Sequence, residues 1–179
     1  MQMTFRWYGE NSDSVSLKQI RQIPGMSGVM GFLDYKAAGE VWTEEEIKAE
    51  ARKVKALLDK YGLKAEFVAP RLWMDPHTID GGYMSTRKED REFAMWRSFR
   101  SIDIARELGC DLIVLWLARE GTLCAESKSP VWATKQLVSA IDEMLDYDPT
   151  IRICIEPKPN EPIDRSICGT MGHVLAVSA

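Results

Sequence analysis

The sequence has little that would direct it to nucleic acid or into a membrane. Its 23 lysines and arginines are outnumbered by 27 aspartates and glutamates, and the formal net charge is -4. A nucleic-acid-binding domain usually carries a basic face, so this balance argues against such a partner. No run of about 18 apolar residues occurs, so no membrane-spanning helix is expected. The first residues also lack the charged and then apolar pattern of a signal peptide.

Cysteine is scarce and unpatterned. The four cysteines form no C-x-x-C pair and no zinc spacing, so we expect reduced thiols in a cytoplasmic protein. No glycine-rich turn that could cradle a phosphate occurs, which disfavours a phosphorylated substrate.

What the sequence does have is a regular alternation of short apolar runs and longer helical patterns. An apolar run between helices is typical of a parallel strand that helices cover. Strands are predicted at 3–8, 28–32, 64–69, 112–116 and 151–155, and helices at about 14–22, 43–61, 88–108, 130–145 and 170–179.

This alternation predicts an α/β fold, a partial TIM (β/α)8-type barrel with about five β/α units present. A doubly wound open sheet is the rival, but it would usually place a glycine-rich turn after the first strand, and none occurs. A closed barrel typically takes ~250 residues. We therefore expect one domain over residues 1–179 that is incomplete at its C-terminal side.

The richest motif follows the fifth predicted strand. Glu156 ends the strand and Lys158 follows two residues later. In a barrel, side chains at this end of a strand face the active-site mouth. A carboxylate there suits a hard divalent cation, and a lysine can donate to a sugar oxygen. From residue types alone, a solvated Glu–Lys ion pair is the simpler alternative.

The same motif resembles the fifth-strand signature of xylose isomerases, and the resemblance extends over residues 64–179. It rests on Glu156-Pro-Lys-Pro-Asn-Glu-Pro162 with Asp164 and Thr170-x-Gly-His173, on Asp80-Gly-Gly-Tyr-Met-Ser85, on Ile102-Asp-Ile-Ala-x-x-Leu-Gly109, and on Leu115-Trp116 with Arg119-Glu-Gly121.

That resemblance implies a metal-dependent aldose–ketose isomerase in which two divalent cations (Mg, Mn or Co) hold the open-chain sugar. By position, Glu156 matches a metal ligand and Lys158 matches the catalytic lysine on the sugar's O1. Trp116 and Trp73 match aromatic walls of the substrate site. Residues 31–36 lack the family's histidine. The family's later metal ligands have no counterpart here, so the isolated chain is expected to be inactive.

The first 47 residues instead resemble mannonate dehydratase, another TIM barrel that uses a divalent metal. The likeness rests on Met3-Thr-Phe-Arg-Trp-Tyr-Gly9, Asp13-Ser-Val-Ser-Leu17, Gln19-Ile-Arg-Gln-Ile-Pro-Gly25 and Gly39-Glu-Val-Trp42. It implies that Arg6 could pair with the carboxylate of a sugar acid. A strand-flanking arginine without that role is the alternative.

The sequence thus favours a divalent-metal sugar isomerase, with three alternatives kept open. These are a sugar-acid dehydratase, a sugar epimerase and a non-catalytic truncated barrel. The expected partner is a small sugar or sugar acid, without nucleic acid or membrane, and a homo-oligomer is plausible because barrel helices often form subunit contacts.

Three further patterns have structural interpretations. Asp75, Asp80, Asp90 and Asp103 are expected to be scattered and solvated. His77 is interpreted as an exposed polar loop residue. The aromatics Phe93, Trp96 and Phe99 recur every three residues, which predicts a helical stripe packed onto the barrel strands.

Overall fold

The computed structural model describes residues 2–31, 42–122, 124–160 and 165–179. Two segments with sequence predictions lie outside these ranges. They are residues 32–36, where the histidine of the resembled family is lacking, and residues 161–164, which belong to the fifth-strand motif. The strands are β1 Met3–Trp7, β2 Met26–Gly31, β3 Lys64–Ala65, β4 Leu112–Trp116 and β5 Arg152–Glu156. The helices are α1 Leu17–Arg21, α2 Glu44–Lys60, α3 Lys88–Leu108, α4 Pro130–Tyr147 and α5 Met171–Val177.

The first of two compact units comprises Met1–Val68 and Asp103–Leu112. Its three strands form a sheet in the order β1-β2-β3, and both pairings are parallel. Apolar side chains from the sheet and from α1 and α2 make one core, which removes this face of the sheet from water. The core residues are Trp7, Leu17, Ile20, Met26, Val29, Leu58 and Leu63.

Local signals set the ends of α2 where the sequence predicts them. The Thr43 side chain accepts the Glu46 backbone N–H, and the Glu46 carboxylate accepts the Thr43 N–H, which is a complete capping box. Gly62 follows the helix with a φ of 62°, a conformation that glycine adopts without the steric cost of a Cβ.

The second unit comprises Ala69–Ile102 and Ile113–Ala179, with β4 and β5 forming a two-stranded sheet. Ile113 and Leu115 are fully buried on one face of β4, and Trp116 lies on the other face. Helix α4 is amphipathic and buries residues at helical spacing. These are Ala133, Leu137, Ala140 and Met144.

Two sequence predictions about these elements are wrong. Strand β3 ends at Ala65 rather than at 69, although Glu66 still donates to Val29 O at 3.1 Å and Val68 donates to Leu112 O at 3.0 Å. The aromatic stripe of α3 does not form its buried face, because Trp96 is 50% exposed. The buried residues of α3 are instead Asp90, Ala94, Ser98, Ser101, Ile102, Ile104 and Ala105.

Among the described residues, no helix has both the length and the apolar character that crossing a bilayer requires.

Candidate functional site

A buried carboxylate lies just beyond the end of β4. Glu120 is 2% exposed, and its Oε1 accepts the backbone N–H groups of Gly82 at 2.7 Å and Tyr83 at 3.0 Å. Its Oε2 accepts the N–H of Met84 at 3.2 Å. Three successive backbone donors therefore converge on one side chain, and we call this arrangement the Glu120 cradle.

The glycines of the β3–α3 loop (residues 70–87) make this approach possible. Gly81 has a φ of 80°, and a Cβ built there would lie 2.6 Å from Glu120 Oε2. A Cβ on Gly82 would lie 2.9 Å from the Cβ of Ala94. The Asp80-Gly81-Gly82 segment thus needs both glycines, because a side chain would collide with Glu120 or with helix α3.

Lys128 lies in the segment before α4 and binds the same loop. Its side chain is 1% exposed, and its Nζ donates to the Asp80 carbonyl at 2.7 Å and lies 3.2 Å from Asp80 Oδ1. Burial alone would raise the pKa of Asp80. The Thr86 N–H and the Lys128 ammonium outweigh it, so this pKa lies below its usual value.

Burial acts more strongly on Glu120. It raises the pKa of Glu120 from 4.5 to about 7, although the three N–H donors and Lys128 oppose the shift. Burial also raises the pKa of Tyr83, whose hydroxyl lies 2.6 Å from Ser98 Oγ, and raises that of Cys168 to about 11. Glu120 is therefore a group poised between its two protonation states near neutral pH.

The expectation that four loop and helix aspartates are solvated is wrong for Asp90. Asp90 is 3% exposed, accepts Ser85 Oγ–H at 3.0 Å and lies 2.9 Å from His77 Nδ1. Asp80 is also only half-exposed and tied to Lys128. His77 is 47% exposed, as expected for a loop histidine, but its ring is oriented by Asp90 and lies 5.0 Å from the ring of Phe93.

The predicted aromatic walls lie together in the second unit. The rings of Trp73 and Trp116 meet edge to face with centroids 4.7 Å apart, and Arg119 Nε donates to the Trp73 carbonyl at 3.4 Å. The Lys158 ammonium lies 5.1 Å from the Trp116 ring centroid, within cation–π range. Trp116 Nε1 is buried, and none of the described residues forms a hydrogen bond with it. Three of the predicted site residues thus share one location.

Glu156, the predicted metal ligand, is the exposed last residue of β5. No cluster of three His, Cys, Asp or Glu side chains suited to a metal ion occurs among the described residues. A hard divalent cation needs several oxygen ligands, so Glu156 with its described neighbours does not fit a complete metal site.

Arg6, the predicted carboxylate ligand, lies in the first unit next to the last residue of β1. Trp7 is buried in the core with α1 and α2, and successive strand side chains alternate between faces. Arg6 therefore lies on the face of the sheet opposite that core. It is exposed, and its guanidinium lies 5.0 Å from the ring of Tyr8.

Sequence reasoning missed the role of Glu120. Glu120 belongs to the Arg119-Glu120-Gly121 motif, and its partners Gly82, Tyr83 and Met84 belong to the motif of residues 80–85. Their pairing spans 38 residues, and nothing local indicates that one carboxylate enters the other loop.

Comparisons with known proteins now add to this geometry. The sequence model of the family described as D-mannonate dehydratase (UxuA) matches residues 1–80, from β1 to the start of the Asp80-Gly-Gly segment. Mannonate dehydratases of Lachnoclostridium phytofermentans and Shouchella clausii are 54% and 53% identical to this chain over 68 residues. The N-terminal part of the chain is mannonate dehydratase-like.

Each of those matches covers 38% of this chain and only 18% of the relative. Among solved structures, mannonate dehydratase from Streptococcus suis serotype 2 has a TM-score of 0.65 at 18% identity, covering 94% of this chain and 58% of that one. A xylose isomerase domain protein from Planctomyces limnophilus has a TM-score of 0.60 at 16% identity, covering 98% and 57%. The expected partial barrel of the xylose isomerase-like type is confirmed.

The prediction of an isomerase is wrong. The curated relatives and the family model are dehydratases, and the dehydratase resemblance reaches residue 80 rather than 47. The xylose isomerase likeness belongs to the fold, since proteins below 25% identity share this architecture across different activities.

Proposed function

We propose that this chain is part of a sugar-acid dehydratase of the mannonate dehydratase type. The observation that carries the proposal is the match of residues 1–80 to that family, with identity above half over 68 residues. The chain spans about a fifth of the length of the curated relatives in that match. We therefore propose the dehydratase activity for a complete enzyme of which this chain is a part.

Elimination of water from a sugar acid removes a proton from the carbon beside the carboxylate and a hydroxyl from the next carbon. A cation bound to the carboxylate favours loss of the proton, because negative charge develops on the carboxylate in the transition state. We assign this role to Arg6, whose planar guanidinium can hold a carboxylate through two parallel hydrogen bonds. Its place on the face opposite the Trp7 core supports this assignment.

For the second unit taken by itself, we propose that Lys158, Trp73 and Trp116 contact a sugar. The Lys158 ammonium beside the Trp116 ring offers a donor for a substrate oxygen. The two indoles offer an apolar wall that excludes water, which strengthens the electrostatic interactions of a bound substrate. The contact between Trp73 and Trp116 supports a common role.

A divalent cation would act as a Lewis acid toward the sugar acid. Glu156 is our candidate for one of its ligands, and the described residues supply no complete set around it. We therefore assign no chemical step to a metal here. We also expect the 179-residue chain by itself to show no turnover, because Glu156 is the one candidate ligand among the described residues and a single carboxylate cannot hold a catalytic cation.

The test is an assay of the full polypeptide that the gene encodes, with D-mannonate or D-xylose and added Mn²⁺ or Mg²⁺. We expect a 2-keto-3-deoxy acid from D-mannonate, measured as its semicarbazone, and no ketose from D-xylose. Arg6→Lys should raise the KM for mannonate about tenfold, because it keeps the charge but loses one of two charged hydrogen bonds. Arg52→Lys, an exposed arginine of α2, is the matched control. Ketose formation, or an Arg6→Lys enzyme with unchanged KM, would contradict the proposal.

A further inference from the structure

We propose that Glu66 is a second ligand-binding residue beside Arg6, and that it accepts hydrogen bonds from the hydroxyl groups of a sugar acid whose carboxylate Arg6 holds. This inference rests on the proposed function for the class of ligand, and it concerns the first unit alone. Glu66 is thereby the residue that distinguishes a polyhydroxy acid from a plain carboxylic acid.

Glu66 lies on the same face of the first sheet as Arg6. Trp7 and Val29 both belong to the core of that unit, and Val29 pairs with Ala65. Glu66 continues this pairing by donating its backbone N–H to Val29 O at 3.1 Å. Neighbouring residues of a strand point to opposite faces. Arg6, which precedes Trp7, and Glu66, which follows Ala65, therefore share the face opposite the core.

Gly28 makes room for the Glu66 carboxylate on this face. Gly28 precedes Val29, so a side chain there would point to the same side of the sheet as Glu66. A Cβ built on Gly28 would collide with Glu66 Oε1 and would lie 2.8 Å from the Lys64 carbonyl oxygen. The Glu66 carboxylate thus lies against the backbone of β2. The backbone of Glu66 is itself fixed, since its carbonyl accepts the Cys110 thiol at 3.1 Å.

The Glu66 carboxylate retains its capacity to accept hydrogen bonds. Glu66 is half-buried, and among the residues that the structure describes its side chain has no hydrogen bond and no ion pair. A carboxylate has about four lone-pair positions on its two oxygens, and polar groups removed from water are usually hydrogen-bonded. Hydroxyl groups of a ligand on this face would supply the donors that Glu66 lacks.

The spacing of Arg6 and Glu66 suits a ligand that bridges them. Strand β2 lies between β1, which carries Arg6, and β3, which Glu66 follows. Adjacent strands are ~4.8 Å apart, so the two Cα atoms lie on the order of 10 Å apart. The Arg6 guanidinium lies near the ring of Tyr8, whereas the Glu66 carboxylate lies against Gly28, so the two charges lean toward opposite ends of the strands. A sugar acid would place its carboxylate at Arg6, because Glu66 repels that group and accepts the hydroxyls.

The test is the affinity of the 179-residue chain for D-mannonate and for hexanoate, an acid with the same number of carbons and no hydroxyls, measured from the chemical shift of Arg6 Nε. Wild type should bind D-mannonate more tightly than hexanoate. Glu66→Gln should weaken D-mannonate binding about tenfold, because a neutral amide replaces a charged acceptor, and should leave hexanoate binding unchanged. Glu45→Gln, an exposed glutamate of α2, should behave as wild type with both.

Three results would overturn the inference. They are wild type that does not prefer D-mannonate, Glu66→Gln that binds D-mannonate as wild type does, and Glu66→Gln that loses equal affinity for both acids, as a purely structural residue would. If Glu66→Gln does not fold, wild type alone decides. The carboxyl ¹³C resonance of Glu66 should then shift with D-mannonate and not with hexanoate, and a shift with both or with neither would refute the contact.

Turnover of D-mannonate by the full polypeptide decides the proposed function separately. Turnover together with an unchanged affinity in Glu66→Gln would refute the role of Glu66 and leave the dehydratase in place. A tenfold loss of D-mannonate affinity in Glu66→Gln, with no dehydration by the full polypeptide, would support the binding role of Glu66 and refute the dehydratase.

Discussion

The Lys128 ammonium donates to the Asp80 carbonyl at 2.7 Å although the Lys128 side chain is 1% exposed. A lysine this buried is rare unless it is paired. The contact joins the segment before α4 to the loop that forms the Glu120 cradle, so Lys128 and Glu120 hold neighbouring residues of one loop from two different segments.

Lys128→Met should therefore destabilise the second unit by about 2–3 kcal/mol, because it removes charged hydrogen bonds and leaves the Asp80 carbonyl without its donor. The free energy of unfolding in urea measures the effect. Lys88→Met removes a lysine that is 78% exposed and should cost less than about 0.5 kcal/mol. Equal losses of unfolding free energy in the two variants would show that the Lys128 contact does not stabilise the protein.

Gly81→Ala tests how closely the loop approaches Glu120. The substitution adds backbone strain at a φ of 80° and a clash 2.6 Å from Glu120 Oε2. Gly25→Ala is a matched control, because Gly25 has a φ of 76° and open space around its Cβ position. We expect Gly25→Ala to cost about 1 kcal/mol from strain alone, and Gly81→Ala to cost about 1–3 kcal/mol more from overpacking. Equal losses of unfolding free energy for Gly81→Ala and Gly25→Ala in urea would contradict the close approach of the loop to Glu120.

Stability should also depend on pH through Glu120. Its folded-state pKa of about 7 lies above the ordinary 4.5, so the neutral group favours the folded state. That contribution is fully present below about pH 4.5 and is lost as the pH rises to 7. Urea unfolding of wild type and Glu120→Gln at a series of pH values isolates it, since the difference between them should change only within this window. If the difference in unfolding free energy between the two proteins stays constant from pH 4.5 to pH 8, the pKa of Glu120 is not raised in the folded state.

The sequence predicts those parts of the fold that depend on local signals. Strand β4 and helix α3 have the predicted bounds because Gly109, with a φ of 71°, separates a long helical pattern from an uninterrupted apolar run. Helix α2 begins at its capping box for the same reason. The early end of β3 could not be predicted, because strand pairing is set by the neighbouring strand and not by the apolar run itself.

Long-range contacts limited the prediction of the site. Family resemblance alone assigns Trp73 and Trp116 to the walls of a substrate site, and the sequence does not predict their contact because the two residues are far apart in the chain. The sequence predicts that Asp90 is solvated, because nothing local to Asp90 indicates its contacts with Ser85 and His77 of the preceding loop. The isomerase prediction had a different cause. Motifs shared by barrels of one architecture indicate the fold, and a shared fold does not imply a shared reaction.

The most direct test of the proposal that this chain binds a sugar acid rather than a neutral aldose is an NMR titration of the ¹⁵N-labelled chain. We predict that D-mannonate shifts the amide resonances of Arg6 and Trp7 and the Arg6 Nε resonance, that Arg6→Met abolishes these shifts, and that D-xylose causes none. Shifts of the same resonances with D-xylose, or shifts with D-mannonate that persist in Arg6→Met, would contradict the account.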